Sequence, residues 1–118
     1  MADIDTQMAD LQKGYIAKLD GKTSQIVSDW EQFLAHDLSQ PWLDKVARAI
    51  HTIAGTSSIL NIKQVSQLCT EIQALLITQT KIDDHESLVI QKINLKIKEL
   101  RTLITSGNIE FTPIKLKG

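Results

Sequence analysis

A chain of 118 residues with 42% hydrophobic and 23% charged residues has the length and composition of one globular domain with its own core. A formal net charge of −1 and 4% aromatic residues argue against nucleic acid as a partner, because neither phosphate neutralisation nor base stacking has much to draw on. The single cysteine, Cys69, excludes an internal disulfide, and no apolar run approaches the roughly 20 residues that a bilayer span needs.

The start, Met-Ala-Asp-Ile-Asp-Thr-Gln, has no basic region ahead of an apolar core, so no signal peptide is expected and a cytoplasmic setting is. Residues before Leu11 are polar apart from Ile4 and Met8, which leaves a frayed start or a short extra N-terminal helix. Leu11, Tyr15, Leu19, Ile26, Trp30 and Phe33/Leu34 then recur mostly at three or four residues, the period of one helix face. Gly21 falls in the gap after Leu19. A glycine inside a helix costs about 1 kcal/mol against alanine, but the phase holds across it, so one helix over roughly 8–36 is expected.

Ser39 or Gln40 lies at the next cap, and Pro41 suits a first helical position, where its missing donor costs nothing. The second helix should run from about Pro41 to Leu60, with Leu43, Val46, Ile50, Ile53, Ser57 and Leu60 inward. Asn61 is its stop. Val65, Leu68, Cys69, Ile72 and Leu75/Leu76 predict a third helix over roughly 62–79. Lys81–Asp84 reads as a loop, with Asp83 and Glu86 as a capping box. The last helix carries Val89, Ile93, Ile97, Leu100 and Leu103/Ile104 and ends at Gly107, with Lys92, Lys96, Glu99 and Arg101 on a solvated face. The tail Asn108–Gly118 alternates Ile109, Phe111, Ile114 and Leu116. It has no strand partner and is expected loose, or laid against the bundle. The fold expected is all-α: an up-down four-helix bundle over residues 1–107, followed by this tail.

At about 100° per residue, His51 lies roughly 130° from the inner stripe of the second helix, on its outside. Asp44, Ala47, Arg48, Ala54, Gly55 and Ser58 are its expected surface neighbours. Ala47, Ala54 and Gly55 have almost no side chain, and glycine weakens a helix, so bare backbone here suits the close approach of another protein. Neutral imidazole, with a free pKa of about 6.5, is a good nitrogen nucleophile near pH 7 and can take an activated phosphoryl group as a phosphoramidate. The sequence offers no phosphate loop and no metal-ligand spacing among its three histidines. His36 and His85 lack such neighbours and read as surface groups. Cys69, Trp30 and Trp42 read as packing residues, and Thr56 or Ser58 as bonding a carbonyl one turn back.

The run His51-Thr-Ile-Ala-Gly55-Thr-Ser57-Ser-Ile-Leu60, with Ile50 before it and Leu68-Cys69 in the next helix, resembles the histidine phosphotransfer (HPt) domain. The likeness spans roughly Leu11 to Gly107. It implies a free-standing four-helix phosphocarrier of a two-component phosphorelay, with His51 as the phosphorylated residue. His51 would accept the group from a receiver-domain aspartate of a hybrid sensor kinase and pass it to the receiver of a response regulator. Arg48, Ala47, Ala54, Gly55 and Ser58 would form the docking surface. No cofactor of its own is implied; the receiver would supply the acidic pocket and the divalent metal. No autonomous kinase activity, no catalytic or metal-binding residue and a monomer are expected. Two positions depart from the family pattern. Asn61 stands where glycine is usual, a mild change because asparagine tolerates the left-handed conformation. Ala54 stands where lysine often helps neutralise the phosphoryl group, and Arg48, one turn before His51, is expected to take that role. The competing reading is a non-catalytic helical interaction module that docks on a receiver or kinase without transferring phosphate, with Ala54 as its clue.

Overall fold

Four helices follow one another in the computed structural model, which describes residues 3–77 and 87–115: α1 (Ile4–Ala35), α2 (Gln40–Ile59), α3 (Lys63–Ile77) and α4 (Leu88–Ser106). Each packs against the next and α4 closes back on α1, while helices on a diagonal do not meet. This is the all-α, up-down bundle, with no strand among the described residues. Its long dimension of 54 Å is set by α1, whose 32 residues span about 48 Å at 1.5 Å each.

Helix α1 begins at Ile4 rather than near residue 8, and among the described residues no separate N-terminal helix precedes it. Asp3 caps it by accepting from the Thr6 amide at 2.8 Å. Ile4, Met8 and Leu11 continue the helical spacing back to that start, but no residue of α1 before Gln12 is buried. Gly21 lies exposed within the unbroken helix. The turn to α2 places Asp37 and Leu38 in the left-handed region, at φ 52° and 56°, and tucks Leu38 against the core. Ser39 is the N-cap of α2, though its side chain makes no capping bond, and Pro41 lies in the first turn.

The inner stripe of α2 is buried throughout: Leu43, Val46, Ile50, Ile53, Ser57 and Leu60. The helix ends in a paired-bond stop around left-handed Asn61 (φ 55°). The Ile62 amide donates to Ser57 and the Asn61 amide to Ser58. Val65, Cys69, Ile72 and Leu76 complete the α3 side of the core, whereas Leu68 and Leu75 are only partly buried. Burial pushes the Cys69 thiol up to about 12.

Helix α4 starts at Leu88, capped by Ser87, which accepts from the Ile90 amide at 3.2 Å. The Asp83–Glu86 capping box, His85 and the expected end of α3 at 79 lie outside the described residues. Ile90 joins Ile93, Ile97, Leu100 and Ile104 in the core, and Gly107 stops the helix at φ 73°. Two groups expected on a merely solvated face tie helices together. Lys96 meets Glu71 of α3 at 2.7 Å, and Arg101 meets Asp20 of α1 at 2.7 Å.

Residues 108–115 are not loose. Ile109, Phe111 and Ile114 pack against the core, and the Thr112 amide donates to the Asn61 carbonyl at 3.2 Å. Gln12 of α1 is fully buried there, donating to Leu60 O at 2.7 Å and Thr112 O at 2.9 Å. An alternating apolar run without a strand partner has found the end of the bundle instead.

Candidate functional site

The outer face of α2 exposes His51, Arg48, Thr52, Gly55 and Ser58, with Ala47 half-buried beside them. The stop at Asn61 and the buried stripe beneath fix which way this face points. A Cβ built on Gly55 meets nothing within 4 Å, so the space beside it is open. Ser57 is fully buried and stands outside the site.

Ala54 does not share that surface. It is 7% exposed and packs in the core, and its carbonyl accepts from the Ser66 hydroxyl of α3 at 3.4 Å. The correction follows from angle. Three residues beyond His51 is 300° around the helix, about 60° from the centre of the inner stripe, on the side that α3 covers. The bond to a carbonyl one turn back is seen at Thr52, whose hydroxyl donates to Arg48 O at 3.0 Å.

The imidazole has a partner that the sequence reading missed. Gln73, half-buried on α3, brings its side-chain amide nitrogen to 2.7 Å from His51 Nδ1. Nε2 has no hydrogen-bond partner among the described residues. The two positions are 22 residues apart, but antiparallel helices folded about Asn61 bring residues at equal distances from the turn level with each other. His51 is ten residues before that turn, so residues in the early seventies stand level with it.

The orientation of the Gln73 amide and the tautomer of the ring go together. With the amide N–H donating to Nδ1, the ring proton sits on Nε2 and blocks its lone pair. A half-turn of the amide puts its carbonyl oxygen against an Nδ1–H and frees Nε2. The same oxygen then stabilises the positive ring that forms when Nε2 gains a substituent.

Among the described residues, His36 and the tryptophans stand outside the site. His36 Nδ1 lies 2.9 Å from Gln32 O, to which it donates, and the ring stacks on Trp42. Trp30 is buried against Phe33 at 5.2 Å between centroids. Among the described residues no group of three or more His, Cys, Asp or Glu could hold a metal ion, and no helix is long and apolar enough to cross a membrane.

A family model described as Hpt domain matches residues 15–106, most of the chain. No curated protein and no solved structure matches it.

Proposed function

The chain belongs to the Hpt domain family, whose members carry phosphoryl groups in phosphorelays without being autonomous kinases, and from that membership we propose that His51 is its carrier residue. Hpt domains work with receiver domains, so the donor is a receiver's aspartyl phosphate and the acceptor a response regulator's receiver aspartate. The observation that carries this reading is the exposed imidazole whose Nδ1 is engaged by Gln73, with the space at Gly55 open beside it.

In the forward step the Nε2 lone pair of neutral His51 attacks phosphorus. The N–P bond forms, the acyl P–O bond breaks, and the donor's carboxylate leaves with the electron pair. Nδ1 keeps its proton against the Gln73 carbonyl oxygen. In the return step an acceptor carboxylate attacks phosphorus and His51 leaves as neutral imidazole. The divalent metal and the acidic pocket belong to the receiver. Ala47, Arg48, Gly55 and Ser58 form the docking face, a small and transient one. Ala54, buried under α3, contributes only through the flatness it leaves. The protein acts in the cytoplasm as a monomer.

The test is incubation with a phosphorylated receiver, followed by mass spectrometry at alkaline pH. Label on His51, absent in His51→Asn, is the expected result. Receiver binding without label would replace the carrier with a docking module.

A further inference from the structure

The two flanks of His51 differ in charge. Toward α3 lie Ala47, Ala54 and Ser58, neutral and small, with the Gln73 amide. Toward α1, an open groove of about 450 Å³ runs between α1 and α2, lined by Lys22, Gln25 and Asp29 from α1 and Lys45, Arg48, Ala49, Thr52 and Ile53 from α2. Arg48 and Thr52, which flank His51 along the helix, form its near wall.

The cations of this groove are not equally available. Lys45 stands over the Trp42 ring, 4.3 Å from its centroid. Asp29, 8% exposed on the α1 side, accepts from Gln25 at 3.0 Å. Arg48 and Lys22 are exposed, and among the described residues neither makes an ion pair. Three positive charges against one negative leave the groove cationic. Position 54, three residues beyond His51, is buried and carries no charge, and Asp44, the acidic residue on this face of α2, accepts from the Gln40 amide at 2.8 Å.

We propose that this α1–α2 groove is the anion-holding side of the site, in which Arg48 and then Lys22 bind the oxygens of a phosphoryl group on His51 Nε2. The proposal rests on His51 as carrier and adds where the transferred group lies. A guanidinium offers a planar pair of donors to phosphoryl oxygens, and its charge offsets the dianion during both approach and storage. The α3 flank then serves the ring proton and the α1 flank serves the phosphoryl charge.

The experiment uses the intact chain and phosphoramidate, a small-molecule donor that needs no receiver: His51 Nε2 attacks phosphorus and ammonia leaves. Labelling and loss are followed by 31P NMR in wild type, Arg48→Ala, Arg48→Lys, Lys22→Ala and the control Lys92→Ala on α4. Circular dichroism confirms that each variant is folded. Arg48→Ala should label about threefold more slowly and lose its label about threefold faster, the range of one partly solvated charge contact. Arg48→Lys should recover most of both, Lys22→Ala should move in the same direction by less, and Lys92→Ala should match wild type. The Arg48 Nε–H resonance should shift on phosphorylation. Arg48→Ala labelling and decaying at wild-type rates overturns the groove assignment alone. A wild-type chain that never labels at His51 removes the carrier reading itself.

Discussion

Gln73 stands level with His51 across the α2–α3 interface, its side-chain amide 2.7 Å from the imidazole Nδ1. Removing that amide leaves His51 exposed and the helices intact but frees the ring to choose its tautomer. Gln73→Ala should slow single-turnover transfer from a phosphorylated receiver about fivefold, the scale of one neutral hydrogen bond. The imidazole 15N shifts should change with it, while receiver affinity stays near wild type. Unchanged transfer would take Gln73 out of the mechanism.

Gly55 separates stability from access. Its Cβ position is empty and the residue is helical, so Gly55→Ala should raise stability by about 0.5–1 kcal/mol in urea titrations. Gly55→Gln should also fold, yet reach into the space an incoming receiver needs. Its affinity for receiver should drop severalfold by calorimetry, while phosphoramidate labelling is preserved.

Gln12 links three segments through two bonds, a buried one to Leu60 and a part-buried one to Thr112. Gln12→Ala strips partners from both carbonyls and should cost about 1–3 kcal/mol of unfolding free energy. Deleting residues 109–118 removes one end of the same arrangement. The two changes together should destabilise by less than their sum, which a double-mutant cycle measures.

Glu71 and Lys96 set a pH dependence of definite sign. The Lys96 hydrogen bond holds the Glu71 carboxyl below its ordinary 4.5, and Glu71 in turn raises Lys96. The carboxylate's contribution is therefore present above 4.5 and is lost as pH falls through the lowered folded value. Both groups are solvent-accessible, so the effect should be small and screened by salt. Lys96→Met should lower stability slightly above pH 4.5, leave it near wild type in acid below the folded value, and so flatten the acid side of the profile.

Cys69 reports on opening of the core. It is fully buried, with its thiol pushed up to about 12, and should resist a thiol reagent at pH 8 in the native state. Its labelling rate in increasing urea should follow global unfolding. Rapid native labelling would show that α2 and α3 part locally.

The bundle was legible in the sequence because each helix shows its buried stripe at a 3.6-residue period. The exposure of His51 was legible for the same reason, by angle from that stripe. The first turns of α1 bury nothing ahead of Gln12, and their signals were the cap at Asp3 and the spacing of Ile4, Met8 and Leu11. Ala54 was misplaced because alanine is silent about burial, and only its angle toward α3 decides the matter. Gln73 was overlooked because a polar residue between apolar ones reads as surface until two helices are set side by side. Arg101 and Lys96 read as solvated in the sequence for that reason too, since long side chains find partners on neighbouring helices that no linear pattern displays.

The imidazole and the amide that aims it belong to separate rods, so reactivity depends on how those rods mesh. A slip of a single turn, about 5.4 Å, would carry Gln73 past the ring without unwinding either helix. A sample in that condition would keep its ellipticity and fall silent in the relay, making transfer a finer gauge of α2–α3 register than spectroscopy of the backbone.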